Sequence, residues 1–162
     1  MSTAHLIHGF LGVGKTTFAR ELEVELGAVR FSEDEWMVEL YGHDPPVELF
    51  AAHSRSVRRV MERQWIRCLA LALDVVLDFG FWRRDERDGI RSQLASLGSH
   101  CTLYRLTCPE AQSWRRIEAR NSSLGDSLLI TRNTFEVLRG RFEPLADDEE
   151  RVEIRSRPTD DP

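Results

Sequence analysis

Lysine is almost missing from this chain: Lys15 is the only one among 162 residues, and arginine supplies the remaining basic side chains. Where arginine is used so freely, a single lysine marks a position that needs a compact ammonium. The scarcity also excludes any motif that requires a second lysine. Basic charge is short overall. The formal net charge is -5, so the broad positive footprint of a general nucleic-acid binder is absent, although a local basic pocket is compatible with it. The cysteines, Cys68, Cys101 and Cys108, make neither a disulfide framework nor a Cys-x-x-Cys zinc pair. They read as small core residues in a reducing compartment. No apolar run is long enough to span a bilayer, so no membrane association is expected. The N-terminal segment has no basic stretch and runs straight into a glycine motif. No signal peptide is expected there, and the expected location is cytoplasmic. Repeats and low-complexity stretches are lacking too. A hydrophobic share of 41% suits one domain with one core, over residues 1–157, with a frayed tail at 158–162 and a monomer as the default state.

What is present alternates between strand-like and helix-like patterns. Short apolar runs at Ala4–His8, Ala28–Phe31, Asp74–Gly80, Cys101–Leu106 and Arg151–Ile154 read as strands. Helical spacing covers Thr17–Leu26, Glu33–Tyr41, Val47–Ala72, Asp85–Leu97, Pro109–Arg120 and Thr131–Arg139. Val57, Val60, Met61, Cys68 and Leu69 or Leu71 fall near one stripe of the longest helix. Residues 121–126 read as a polar loop. This alternation argues for an α/β fold, a parallel sheet with helices on both faces.

Gly9-Phe10-Leu11-Gly12-Val13-Gly14-Lys15-Thr16 fits the phosphate-loop pattern G-x-x-x-x-G-K-[ST] in full, after a strand and before a helix. Glycines let backbone N–H groups turn around an anion, and the helix N-terminus adds its dipole. Lys15 would reach the β- and γ-phosphates and Thr16 would ligate Mg²⁺. Gly9, Gly12, Val13, Gly14, Lys15, Thr16 and Thr17 are therefore the candidate contacts to a nucleoside triphosphate, most directly ATP with Mg²⁺. A guanine reader of the Asn-Lys-x-Asp type cannot exist without a second lysine. Transporter-type and ring-forming ATPases need a longer chain or a helical lid domain.

The chain resembles P-loop kinases of the adenylate-kinase-like group. Its look-alikes are the small ATP-dependent phosphotransferases that include chloramphenicol phosphotransferase, zeta-toxin-type kinases and polynucleotide 5′-kinases. The resemblance covers most of the chain. It implies the P-loop NTPase fold, sheet order 2-3-1-4-5, and a short mobile lid at about 120–132. In that group an Asp after the second strand takes the acceptor's proton, and Asp34 matches it. The group also carries an Arg-Ile-x-x-Arg pattern, matched here by Arg116 and Arg120. The first stacks on adenine and the second contacts the transferring phosphates. Lys15, Asp34 and Arg120 are the candidate catalytic residues.

Position supports the same assignments. Ligands of open parallel sheets sit beyond the carboxyl ends of the strands, which brings Asp34 near the phosphate loop. A kinase needs a carboxylate there to orient a hydroxyl. The same segment also reads as a helix start, with Ser32 as cap and Glu33, Asp34 and Glu35 facing the dipole. Asp78 ends an apolar strand, as a second Mg²⁺ ligand does, or as a turn residue before Gly80 does. Trp36, Tyr41, Phe81 and Trp82 could wall an acceptor pocket or belong to the core. Arg84 and Arg87 could bind an anionic substrate or lie in solvated ion pairs. Arg132 could reach inward from the following helix. The reading is an ATP-dependent kinase with a hydroxyl-bearing small-molecule acceptor. A nucleotide-dependent regulatory NTPase without an acceptor and a polynucleotide 5′-hydroxyl kinase are the alternatives.

Overall fold

A computed structural model describes residues 1–155. The expected tail at 158–162 lies outside the described residues. Five strands, β1 (Thr3–His8), β2 (Val29–Ser32), β3 (Val75–Gly80), β4 (His100–Thr107) and β5 (Val152–Arg155), form one sheet. All pairings are parallel and the order is β2-β3-β1-β4-β5, as the resemblance implies. The helices are α1 (Lys15–Leu26), α2 (Glu33–Tyr41), α3 (Val47–Ala70), α4 (Arg84–Ser96), α5 (Glu110–Asn121) and α6 (Arg132–Arg139).

Alternation along each strand builds two cores, because successive side chains point to opposite faces. Ala4, Leu6, Val75, Leu77 and Leu103 pack with α2, α3 and α4 on one side. Ile7 and Val76 pack with Ala19 and Leu22 of α1 on the other. The strands β1 and β3 are buried on both faces, so β3 opens on the apolar run Val75–Leu77, while β1 carries His5 and His8 as buried polar residues.

The longest helix departs from the stripe expected of it. Val57, Met61, Trp65 and Leu69 are its buried residues, whereas Val60 is 46% exposed and Leu71 lies beyond the helix at 72%. The true stripe steps by four through Trp65. Ser32 occupies the N-cap of α2, yet its side chain makes no capping bond. The three acidic residues that follow carry the electrostatic complement to that terminus. No helix among the described residues is long and apolar enough to cross a membrane.

Candidate functional site

The chain turns from β1 into α1 through Gly9–Gly14, at the carboxyl end of the central strand. Two glycines there have positive φ, 71° at Gly12 and 96° at Gly14. A Cβ on Gly12 would run into the Ser113 carbonyl of α5, so only glycine lets the loop lie so close to that helix. A Cβ on Gly9 would sit 2.7 Å from Val13 and 2.9 Å from the Leu106 carbonyl. Val13 itself is buried in the α1-side core. Gly14 caps α1 with no side-chain bond. The loop's shape and the uncapped dipole fit an anion.

Lys15 folds back on the loop, its Nζ donating to the Phe10 carbonyl at 2.7 Å. Burial pushes its pKa down, and the carboxylates of Asp78 and Asp34 oppose that shift. Thr16 donates from Oγ1 to Asp78 Oδ2 at 2.8 Å. Asp78 is 7% exposed; burial raises its pKa, against the pull of Lys15 and the Thr16 hydroxyl. A hydroxyl and a carboxylate side by side are hard oxygen donors. They suit Mg²⁺, which takes one or two protein oxygens and completes its shell with phosphate oxygens and water.

These groups line a cleft of about 1150 Å³ over the carboxyl ends of β1, β2 and β3. That volume exceeds the ~300–1,000 Å³ of common ligand pockets, enough for two ligands side by side. Gly12, Gly14, Lys15, Thr16, Thr17, Asp34, Asp78, Trp82, Arg116 and Arg120 all face it. Arg120 is held by burial below its ordinary pKa, with Asp34 opposing, and its buried Nε has no hydrogen-bond partner among the described residues. The segment between α5 and α6 roofs the cleft through Leu124–Leu128. Asn121 pinches its base, exchanging hydrogen bonds with the Ile130 backbone at 2.8 and 3.3 Å. His43 Nδ1 meets the Ser127 carbonyl at 2.8 Å, and Arg20 pairs with Asp126 at 3.2 Å.

Several expected contacts lie elsewhere. Trp36 packs against the core beside α3. Phe81 is 3% exposed and Tyr41 stacks on His53, 3.7 Å between ring centroids. Arg84 lies on the far side of α4, paired with Asp88 at 2.8 Å and with Asp148 at 2.9 Å. Arg87 is buried in a two-pronged bond to Glu149, at 2.7 and 2.8 Å, and donates to the carbonyls of Phe81 and Trp82. Arg87 spends its donors inside the protein, and Arg84 holds its ion pairs at the surface, away from the cleft. Arg132 turns outward, 4.8 Å above the Trp114 ring, and pairs with Glu136.

Other residues reach the cleft that composition and spacing did not single out as contacts: Glu33, Phe50, Ser54, Arg58, Glu86 and Arg141. The spacing of Phe50, Ser54 and Arg58, four apart and one turn-face from the core stripe, was the available signal. Trp82 reaches both halves of the site. It lines the cleft and donates from Nε1 to the Gly9 carbonyl at 3.0 Å.

No curated protein matches the sequence. Among solved structures, a protein assigned as a kinase from Chloroflexus aurantiacus superposes with a TM-score of 0.77, over 95% of this chain and 88% of its own, at 16% identity. Chaetomium thermophilum Kti12 in complex with ADP-AlF3 gives 0.75 over 98% and 90%, at 17% identity. A sugar kinase from Janibacter sp. HTCC2649 gives 0.66 over 96% and 86%, at 15% identity. At such identities the likeness is one of fold, and the fold is that of the P-loop NTPases. The family model AAA_33, an AAA domain, matches residues 5–145, and the chain belongs to that family.

Proposed function

We propose that the protein is an ATP-dependent phosphotransferase that moves the γ-phosphoryl group to a hydroxyl of a small molecule. One observation carries this reading. The phosphate-loop lysine, the Thr16–Asp78 pair, Asp34 and Arg120 share one cleft, and the charge of Asp34 is felt at both Lys15 and Arg120. A carboxylate within electrostatic reach of both phosphate-side cations is where an attacking hydroxyl would have to stand. The likeness to a sugar kinase and to a nucleotide-bound Kti12 supports the same reading at the level of fold.

In this scheme the loop amides and Lys15 hold the β- and γ-phosphates. Thr16 and Asp78 would hold Mg²⁺, which supplies charge neutralisation at the phosphates when bound. Asp34 accepts the acceptor's O–H proton while the acceptor oxygen forms its bond to the γ-phosphorus. The bond from that phosphorus to the ADP oxygen breaks, and ADP departs with the electron pair. Arg116 and Arg120 close over the nucleotide, Arg120 against the charge that develops at the phosphates, and the segment over the cleft keeps water out.

Asp34→Asn tests the scheme. It should bind Mg-ATP as the wild type does and lose at least about a hundredfold of acceptor-dependent ADP release, the scale of a lost general base. Lys15→Ala is the blank. Transfer at the wild-type rate by Asp34→Asn removes the base. Slow hydrolysis indifferent to every acceptor offered favours a nucleotide-dependent binding protein instead. A polynucleotide end as acceptor would show itself by steep salt dependence, which the net charge of -5 argues against.

A further inference from the structure

Helix α3 presents two stripes. Val57, Met61, Trp65 and Leu69 go into the core, while Phe50, Ser54 and Arg58 line the cleft. Arg58 is fixed from three directions. Its Nε donates to Glu33 Oε2 at 2.6 Å, its Nη1 donates to Glu86, and its guanidinium lies over the Phe79 ring, 5.7 Å from the centroid. Ser54 donates its hydroxyl to the other oxygen of Glu33. The Nη2 group of Arg58 makes no hydrogen bond among the described residues, which leaves donors for a ligand.

We propose that this cluster is the acceptor subsite, and that it takes a hydroxyl-rich molecule that is uncharged or carries an amine, not an anion. Its role as the acceptor's seat rests on the phosphotransferase reading; the binding chemistry does not. Two carboxyl groups, Glu33 and Glu86, flank one guanidinium, and Asp34 stands beside them. A phosphate or carboxylate arriving at Arg58 would come up against Glu33 and Glu86 at the same time, and like charges at close range are strongly disfavoured. Glu33 is only 8% exposed, and burial raises its carboxyl against the opposing pull of Arg58 and Ser54. A ligand hydroxyl or ammonium would donate to the carboxyl oxygens gathered there. Phe50, Phe79 and Trp82 add apolar faces for the carbon side of a polyol. The other arginines of the cleft are committed or lie apart. Arg20 pairs with Glu35 and Asp126, and Arg83 with Asp85. Arg116 and Arg120 come from α5, on the phosphate-loop side. Arg141 alone could draw an anion to this wall.

The test is titration calorimetry on the full chain with Mg²⁺ and a β,γ-imido ATP analogue. The probes are D-glucose, D-glucosamine and kanamycin against D-gluconate, D-glucose 6-phosphate and 5′-AMP. At least one uncharged or amine-bearing probe should bind tenfold or more tightly than every anionic one, and Glu86→Gln should weaken it at least tenfold. Glu86→Gln is the chosen variant because it keeps the Arg58–Glu33 pair, whereas losing Arg58 strands a buried carboxylate and threatens the fold. Failure of all three non-anionic probes to bind would overturn the proposal. So would equal binding to Glu86→Gln, or preference for an anionic probe that is lost in Arg141→Ala. Turnover with ATP is read separately: binding that depends on Glu86 without phosphorylation sinks the phosphotransferase reading and leaves the subsite standing.

Discussion

Glu149→Gln should destabilise this protein far more than a change of one surface-numbered glutamate would suggest. The side chains of Glu149 and Arg87 are 1% and 2% exposed, and two hydrogen bonds of 2.7 and 2.8 Å join them. Arg91 adds a third at 2.7 Å and the Ala146 amide a fourth at 3.0 Å. Breaking a buried ion pair costs about 3–5 kcal/mol because the surviving charge is stranded, and glutamine keeps one acceptor, so the lower end, about 3 kcal/mol, is expected. For a domain of this size each kcal/mol moves Tm by about 2–4 °C, which gives a fall of about 6–12 °C at pH 7. Burial alone would raise the Glu149 pKa; the bonds from Arg87, Arg91 and the Ala146 amide outweigh it and hold the carboxyl well below its ordinary 4.5. A depressed carboxyl stabilises the fold fully above its unfolded pKa and loses that contribution as pH falls below it. The gap between wild type and variant should therefore narrow below about pH 4.5 in thermal and urea unfolding. A Tm difference under about 2 °C at pH 7, or a gap that widens in acid, would refute the reasoning.

Three further perturbations are separable from it. His8 is buried, and burial, against the Phe81 carbonyl that accepts from its ring, lowers its pKa from 6.5 to about 4. Its stabilisation is present above pH 6.5 and lost as pH falls towards 4, so His8→Gln should flatten that slope by on the order of 3 kcal/mol in urea unfolding; an unchanged slope would sink the assignment. Gly12→Ala must place a side chain at φ 71° and against Ser113, and should cost about 1–2 kcal/mol for the backbone alone together with tenfold or more in nucleotide affinity by titration. Asp78→Asn should raise the Mg²⁺ concentration needed for half-maximal ATP turnover at least tenfold, and an unshifted Mg²⁺ titration would remove Asp78 from that role.

The phosphate half of the cleft was legible because its chemistry is local. A loop that wraps phosphates must be glycine-rich, contiguous and followed by a helix, so Gly9 to Thr16 announce it in eight successive residues. The sheet was legible for a similar reason: its central strands are buried on both faces and carry short apolar stretches, Leu6–Ile7 and Val75–Leu77, just before the turns that end them. The acceptor half is assembled from α2, α3 and α4, and no contiguous pattern records it. Arg58 and Glu86 look like ordinary members of charged helices until the fold brings Arg58 between Glu33 and Glu86. Trp65 was missed in the core stripe because arginines flank it along α3, and only the step of four from Met61 to Leu69 reveals its face.

Arg84 and Arg87 show how an arginine-rich sequence misleads. They follow an aromatic turn at the carboxyl edge of the sheet, where an anion-binding pair would be expected, yet Arg84 pairs with Asp88 and Asp148 and Arg87 holds the turn itself. Phe81 stands at φ 46°, a left-handed conformation that a side chain larger than glycine adopts only when its surroundings enforce it. The enforcement is visible: Arg87 and His8 both bond the Phe81 carbonyl, and Arg87 also bonds that of Trp82. The turn so held delivers the Trp82 indole to the Gly9 carbonyl, at the first residue of the phosphate loop. The arginine's donors are thus spent on backbone and on Glu149. Its contribution to the site is the placement of Trp82, a side chain that both bonds the phosphate loop and walls the cleft.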